Sequence, residues 1–535
     1  MKRSIRSYNE WGQGSSASAD PAKTEYNSVN GQVYSNGTLG PRPGWKEIST
    51  SAGGRVHDPS ADALKSVLWY QETDAAEALA VVFLDGSTFK FDILPLATTT
   101  WAAGQTLPDV AAIGSMYPPQ FDDTDKVIAS FDGSILSALG PHLVFATASS
   151  IGTVAALNTA DGDARSVTIN RERAYYWGIN SKPGRVYFSN AADFSSVGST
   201  SSFDVNADVD SYAGAPTGLW SIKNAVLIAC KDNRWLVLTG ASPENGSLKE
   251  LGHDVVPVHG TGAVIDNQLW FLSPTGQGIV VATPSFVEAE TYARLSPLAY
   301  PGSTESRPNN SFMPQSAVGD DVNSNLFLPG RKLSDGADIL AVERVSKVFN
   351  LSKWTLNGTC QDIVFSSGRP NELYAAIDSN AASYAIYSRN HTLNRPANSG
   401  DSKSVSLHSE AGTASGSEVV VDLGEIIAPN GKIVRPVKVV LDIDYWKGGN
   451  YSAPELKIDA TVLGTEATTP QDVLAQQSVT TSGWADISGN TPFKRRVPVA
   501  LPNAQFGTRF SVRITYDNLA LDTVQVYYDE QDDPR

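Results

Sequence analysis

Short apolar strands with turn signals between them recur mostly at intervals of about 40 residues as far as residue 366, with one wider gap near 300–325, and no other feature constrains the fold as much. The clearest hairpin reads Ala80-Val81-Val82-Phe83-Leu84, then Asp85-Gly86, then Ser87-Thr88-Phe89-Lys90-Phe91-Asp92-Ile93. Asp-Gly between alternating β-formers is a strong hairpin signal, because the turn needs a left-handed backbone that those residues tolerate. Val127-Ile128-Ala129-Ser130 before Asp132-Gly133 is a second example. Further strands read at 143–146, 185–189, 226–229, 269–272, 326–328 and 363–366. A repeated unit of short antiparallel strands predicts the blades of a β-propeller. The units share a pattern and not a sequence, with no recurring WD dipeptide or kelch glycine pair, so a large irregular β-sandwich is the competing architecture.

The segment 216–240 is the best single blade. Residues 217–222 read as a strand, Lys223-Asn224 as a turn, 225–230 as a strand, Asp232-Asn233 as a turn and 234–239 as a strand. The plan repeats at 263–265, with Asp266-Asn267 as turn, 269–272, and 278–282. Helical periodicity is weak. Only 73–79 and 471–477 read as candidate helical turns.

Three regions follow. Residues 1–60 are rich in Gly, Ser, Asn and Pro, and read as an extended leader ordered by docking on something else. Residues 61–395 form the propeller. After a polar Pro/Asn/Gly/Ser linker at 394–402, residues 400–535 carry longer alternating strands that predict one antiparallel β-sandwich. The fold class is therefore all-β.

Carboxylates outnumber Lys and Arg by 57 to 41, a formal charge of −16. That excess argues against wrapping nucleic acid through phosphate neutralisation, and is compatible with a wall along which DNA slides. No apolar run approaches the ~18–20 residues that span a bilayer. The basic start, Met1 to Arg6, is followed by no apolar stretch and does not read as a secretory signal. Cys230 and Cys360 lie in apolar contexts and read as buried thiols, although one disulfide between them is compatible with the sequence.

Chemical motifs are sparse. Asp204, Asn206, Asp208 and Asp210 place oxygen ligands at every second position, but the glycine and distal glutamate of a calcium loop are missing. Asp122-Asp123-Thr124-Asp125 reads as a solvated loop. The six histidines show no HExxH spacing, and neither a G-x-S-x-G elbow nor a phosphate-binding loop occurs. No catalytic residue, metal or cofactor is expected. A propeller glycosidase would need two facing carboxylates, and the sialidase Asp-box is met only as a fragment at 83–89. Tyr445, Trp446, Asn450 and Tyr451, with Gly448 and Gly449 between them, form the most lectin-like loop and are the candidate glycan contacts. A receptor- or glycan-binding virion protein is the alternative function.

Several motifs suggest a family. Asn30-Gly31, then Leu39-Gly40-Pro41-Arg42-Pro43-Gly44, resembles the "G…L…RPG" leader of tail nozzle proteins from short-tailed bacteriophages, also called tail tubular protein B or tail hub proteins. Gly184 to Ser189 followed by Asp193-Phe194 is similar to their "RVYFS…dF" blade. Pro216-Thr217-Gly218-Leu219, then Leu227-Ile228 and Arg234-Trp235, is similar to the blade after it. Leu269 to Gly276 resembles their "vyFlSptG". The motifs keep their order over about residues 28–285.

The resemblance implies a homo-hexameric ring in a virion tail, synthesised in the host cytoplasm. It implies contact with the phage adaptor ring and tail fibre or spike proteins, and transient passage of double-stranded DNA, without membrane insertion. On that footing the channel-lining candidates are Asp122, Asp123, Asp125, Asp204, Asp208 and Asp210. Lys2, Arg3, Arg6 and Arg42 are the candidates for docking to the tail ring. Removing residues 1–45 is then expected to leave a folded propeller that no longer docks to the tail.

Overall fold

The structure is a computed structural model of the 535-residue chain. It describes side chains over residues 2–9, 11, 28–34, 36–42, and most of 168–290 and 418–532. Between 46 and 166, and between 313 and 390, it describes strands with few side chains.

The chain divides into two compact units. One comprises 47–338 and 358–388; the other comprises 1–46, 339–357 and 389–535. The leader and an internal hairpin therefore belong to the same unit as the C-terminal region. This differs from three successive regions, and the cause is strand pairing.

The first unit is a β-propeller. Among the described residues, six four-stranded sheets follow one another along the chain. They are built from strands within 62–106, 120–153, 166–204, 216–253, 262–290 and 359–390, the last sheet adding Lys46–Glu47. Val318–Asp320 and Asn325–Arg331 pair between the fifth sheet and the last. First strands of successive sheets meet: Ser166–Asn170 against Pro216–Ile222, then Pro216–Ile222 against Gly262–Ile265. Thr359–Phe365 of the last sheet returns to Asp62–Thr73 of the first, so the sheets close a ring.

The blade read at 216–240 is present, and a fourth strand, Ser247–His253, completes it. Asn233, Asp266 and Asn267 follow turn chemistry, whereas at 223–224 it is the lysine that takes the left-handed backbone. Lys223 and Asn233 have φ of 52° and 61°, and Asp266 and Asn267 have φ of 52° and 61° between strands paired as Ile265 with Gln268. Ala225–Cys230 is buried at every residue. Val226, Ile228 and Cys230 join the apolar cluster of the preceding blade, while Leu227 and Ala229 join that of the next. A strand covered on both faces needs such a continuous apolar run. Trp235 fills the second cluster between Trp220 and Phe271, and its indole N–H donates to the Val255 carbonyl at 3.0 Å. Burial pushes the Cys230 thiol up to about 12, so it is unreactive at neutral pH. The side chain of Cys360 lies outside the described residues.

The second unit is a β-sandwich. In one sheet Leu519–Asp532 pairs with Lys432–Tyr445 on one side, and with Lys2–Tyr8 and Leu39–Pro41 on the other. Phe493–Ala500 lies outside Lys432–Tyr445. In the facing sheet Val419–Ile427 pairs with Arg509–Asp517 and with Tyr26–Val29 of the leader, which itself meets Val348–Trp354 in parallel. Tyr8, Trp11, Val33 and Leu39 join one core with Val421, Leu441, Ile458, Val512 and Val526.

Within residues 1–42 the described strands of the leader are thus sandwich strands. Its described strands are mostly short, and Asn30 and Gly37 take positive φ at turns between them, so periodicity did not reveal them. The candidate helical segments are corrected over their described residues, 471–474 lying outside these. Ala76–Asp85 is a strand paired to Asp62–Thr73, and Ala475–Ser478 is a strand paired to Glu455–Leu463. Strand partners outweigh weak helix propensity.

Candidate functional site

The leader hairpin 30–42 is the most tightly built polar feature of the sandwich unit. Asn30, at φ 58°, turns the chain into Gly31–Val33, which pairs with Leu39–Pro41. The Arg42 amide donates to the Asn30 carbonyl at 2.9 Å, and its Nε donates to Asn30 Oδ1 at 3.0 Å. The Tyr34 hydroxyl donates to the Pro41 carbonyl at 2.9 Å, and that of Tyr516 to the Leu39 carbonyl at 2.7 Å. Gly40 is required by close approach, since a Cβ there would overlap the Tyr34 ring. The Arg42 guanidinium is fully buried, 5.7 Å from the centre of the Trp354 ring.

Burial changes the role of the docking candidates. Arg42 is a core cation of its own unit and offers no surface to a ring partner. Arg6 is half-buried with its guanidinium 5.9 Å from the Tyr8 ring. Lys2 and Arg3 are exposed on the terminal strand, and Arg3 is engaged by this chain.

That engagement centres on Asp529, which is buried. Arg3 Nε donates to Oδ1 at 3.0 Å and Arg435 donates to Oδ2 at 3.1 Å. The hydrogen bond from Arg3 chiefly holds the Asp529 carboxyl below the usual carboxylate range, against the opposing effect of burial, with Arg435 adding to it. A depressed folded pKa means stability that is complete above the unfolded value, near 3.9, and is lost as pH falls through the lowered folded value. Asp529→Asn should therefore lower stability by about 1–3 kcal/mol at neutral pH and remove part of the acid-induced loss. Thermal melts of both chains from neutral pH down to about pH 3 check this; parallel curves would contradict it.

The glycan loop is corrected. Tyr445, Trp446 and Tyr451 are buried, and Asn450 lies outside the described residues. Gly448, at φ 89°, pairs with Tyr451 and folds the loop back on itself. Trp446 then packs edge-on to Tyr34, ring centres 6.4 Å apart, in a small cluster with Tyr451 and Ala520. Tyr445 points into the main core, 4.8 Å from Trp484. These aromatics hold the leader hairpin.

Of the channel candidates, Asp204 is described and Asp122, Asp123, Asp125, Asp208 and Asp210 are not. Asp204 ends the strand Ser202–Asp204 half-buried, and accepts from the Asn206 amide at 2.9 Å and from Asn206 Nδ2 at 3.2 Å. It closes an Asx-type turn. Among the described residues no group of three His, Cys, Asp or Glu side chains gathers as a metal site would require.

One feature went unread in the sequence. Lys494-Arg495-Arg496 is the only run of three cations in the chain, and it lies with Phe493 on an exposed sheet-edge strand. The signal was the run itself, set in an acidic chain.

Fold and site together define an all-β protein that joins a β-propeller to a β-sandwich completed by its own leader. No protein-family model and no curated protein sequence matches the chain. Among solved structures it is similar to the extracellular domain of the putative hybrid two component system BT4673 from B. thetaiotaomicron, at 11% identity and TM-score 0.38. The match covers 65% of this chain and 40% of that one. It is also similar to YCF48 from Cyanidioschyzon merolae (11% identity, TM-score 0.39, 65% of this chain and 98% of that one). The WD40 β-propeller domain of Doa1 matches at 12% identity and TM-score 0.39, over 66% of this chain and 99% of that one. These likenesses concern architecture, and none carries a function to this chain.

Proposed function

We propose that this chain is a structural subunit of a bacteriophage tail, forming the nozzle or hub ring through which the genome leaves. The observation that carries the reading is the leader hairpin. Asn30, Gly31, Leu39, Gly40 and Arg42, the residues that resemble the nozzle leader, form one buried constellation joined by hydrogen bonds and close packing. A chance match of glycines and prolines in a loop would not be expected to coincide with such a packing unit.

The blade motifs behave similarly. Val186, Tyr187 and Phe188 of the "RVYFS" stretch are buried, and Leu219, Leu227, Ile228 and Trp235 fill the spaces between neighbouring blades. The described residues of these motifs are ones that a propeller buries. The net charge of −16 suits a wall that repels phosphate, because Lys and Arg facing a duplex would hold it by counterion release.

In this role the protein is not an enzyme. It works as a homo-hexamer, meets the adaptor ring and the fibre or spike proteins, and surrounds double-stranded DNA in transit. Quantitative mass spectrometry of purified virions tests this directly. The expected result is this chain at the copy number of the tail ring in every DNA-filled particle. Its absence from mature particles would refute the proposal.

A further inference from the structure

We propose that the strand Phe493–Ala500 is a docking edge for an extended, carboxylate-rich segment of a partner protein, which adds as a further strand. The strand is last in its sheet, so its outer backbone edge faces no strand among the described residues. Its first four residues, Phe493 to Arg496, are all exposed, whereas Val497 and Val499 are buried. The exposed half contains no proline. Pro498, which has no N–H for a ladder, falls in the second half and sets a limit to the pairing.

The side chains select the partner's chemistry. Alternation along a strand sends Lys494 and Arg496 to one face and Phe493 and Arg495 to the other. The Phe493 ring, 43% exposed, lies 5.8 Å from that of Tyr445, and the Arg495 guanidinium sits 4.8 Å above Trp484. On the other face Arg496 lies 3.8 Å from Asp442 and donates to Gln525 Oε1 at 3.0 Å, and Lys494 pairs in register with Asp444. Cations therefore flank the backbone edge on both faces, and Lys494, Arg495 and Arg496 all remain exposed to an incoming strand. An incoming strand with carboxylates on both faces would meet them on either side, and an apolar residue would rest on Phe493. Basic edges commonly deter edge-to-edge pairing between like strands. The same charges favour an acidic strand by attraction, and a chain of net −16 leaves this strand as a local exception. The proposal stands on the sandwich alone and does not depend on the tail reading.

The test uses the full chain and a fluorescent peptide of alternating Glu and Val, with its Gln-for-Glu counterpart as control. Anisotropy should show binding of the Glu peptide at low salt, weakening about tenfold or more as salt shortens the screening length. The Gln peptide should bind at least about tenfold more weakly, and Lys494→Glu with Arg496→Glu should produce a loss of similar size. Hydrogen exchange of the unmodified chain should slow within 493–497 when the Glu peptide is added, a readout that does not depend on a variant folding. Equal binding of both peptides would overturn the proposal, as would unchanged exchange at 493–497. So would self-association that occupies this strand, or a duplex DNA that displaces the peptide and binds the strand more tightly.

Discussion

A chain that begins at residue 46 should lose the cooperative unfolding transition of its sandwich unit while keeping that of the propeller. The expectation follows from what the leader buries. Tyr8, Trp11, Val33 and Leu39 belong to the sandwich core, each at 6% exposure or less. Burying a large apolar side chain contributes roughly 1.5–3 kcal/mol, so the four together contribute roughly 6–12 kcal/mol. A whole domain is stable by only about 5–15 kcal/mol. Truncation also strips hydrogen-bonding partners from Leu519–Asp532 along Val524 to Glu530, and from Val419–Ile427 along Val420 to Leu423. Exposed edges of that length favour aggregation. Scanning calorimetry should show two transitions in the full chain and the propeller transition alone after truncation. A truncated chain that melts like the full one would show that the leader is dispensable for folding.

Arg42→Ala should be the most damaging single change in the leader hairpin, at about 2–4 kcal/mol. The guanidinium is fully buried, so its removal opens a cavity beside Trp354 and leaves Asn30 Oδ1 without this donor. Arg42→Lys should recover little, because an ammonium cannot reproduce the planar stacking and the directed Nε–H bond. Urea titrations should show both variants with lower midpoints and the same slope, provided the denatured state is unchanged. Wild-type stability in Arg42→Ala would mean that this motif residue matters for something other than packing.

The sequence was most legible where local chemistry dictates structure. The turn at Asp266-Asn267 follows from residues that tolerate positive φ, and the strand 225–230 follows from an apolar run long enough to be covered on both faces. The longer strands after residue 418 follow from alternation. Pairing between distant segments was not legible. Nothing near Lys2 to Tyr8 announces a partner more than five hundred residues away at Val524 to Glu530. Likewise, nothing local assigns the hairpin within 339–357 to the sandwich unit.

Arg42 and the 445–451 loop were misplaced for a related reason. Side-chain type does not report burial, so Arg42 read as a surface cation and Trp446 as a sugar platform, although both pack in the interior around the leader hairpin. A run of aromatics and glycines looks the same whether it closes inward or opens outward. Gly448, through its positive φ, turns this one inward.

On the function proposed above, copies of this chain form the wall of a DNA exit channel. Electron cryo-microscopy of virions, with this chain located by density or by a bound antibody fragment, tests it most directly. The account predicts copies arranged as a six-fold ring around the tail axis, propellers forming the tube wall and DNA density passing through the centre. Single copies, three-fold spikes, or a position at the tail periphery with no path for DNA would contradict it.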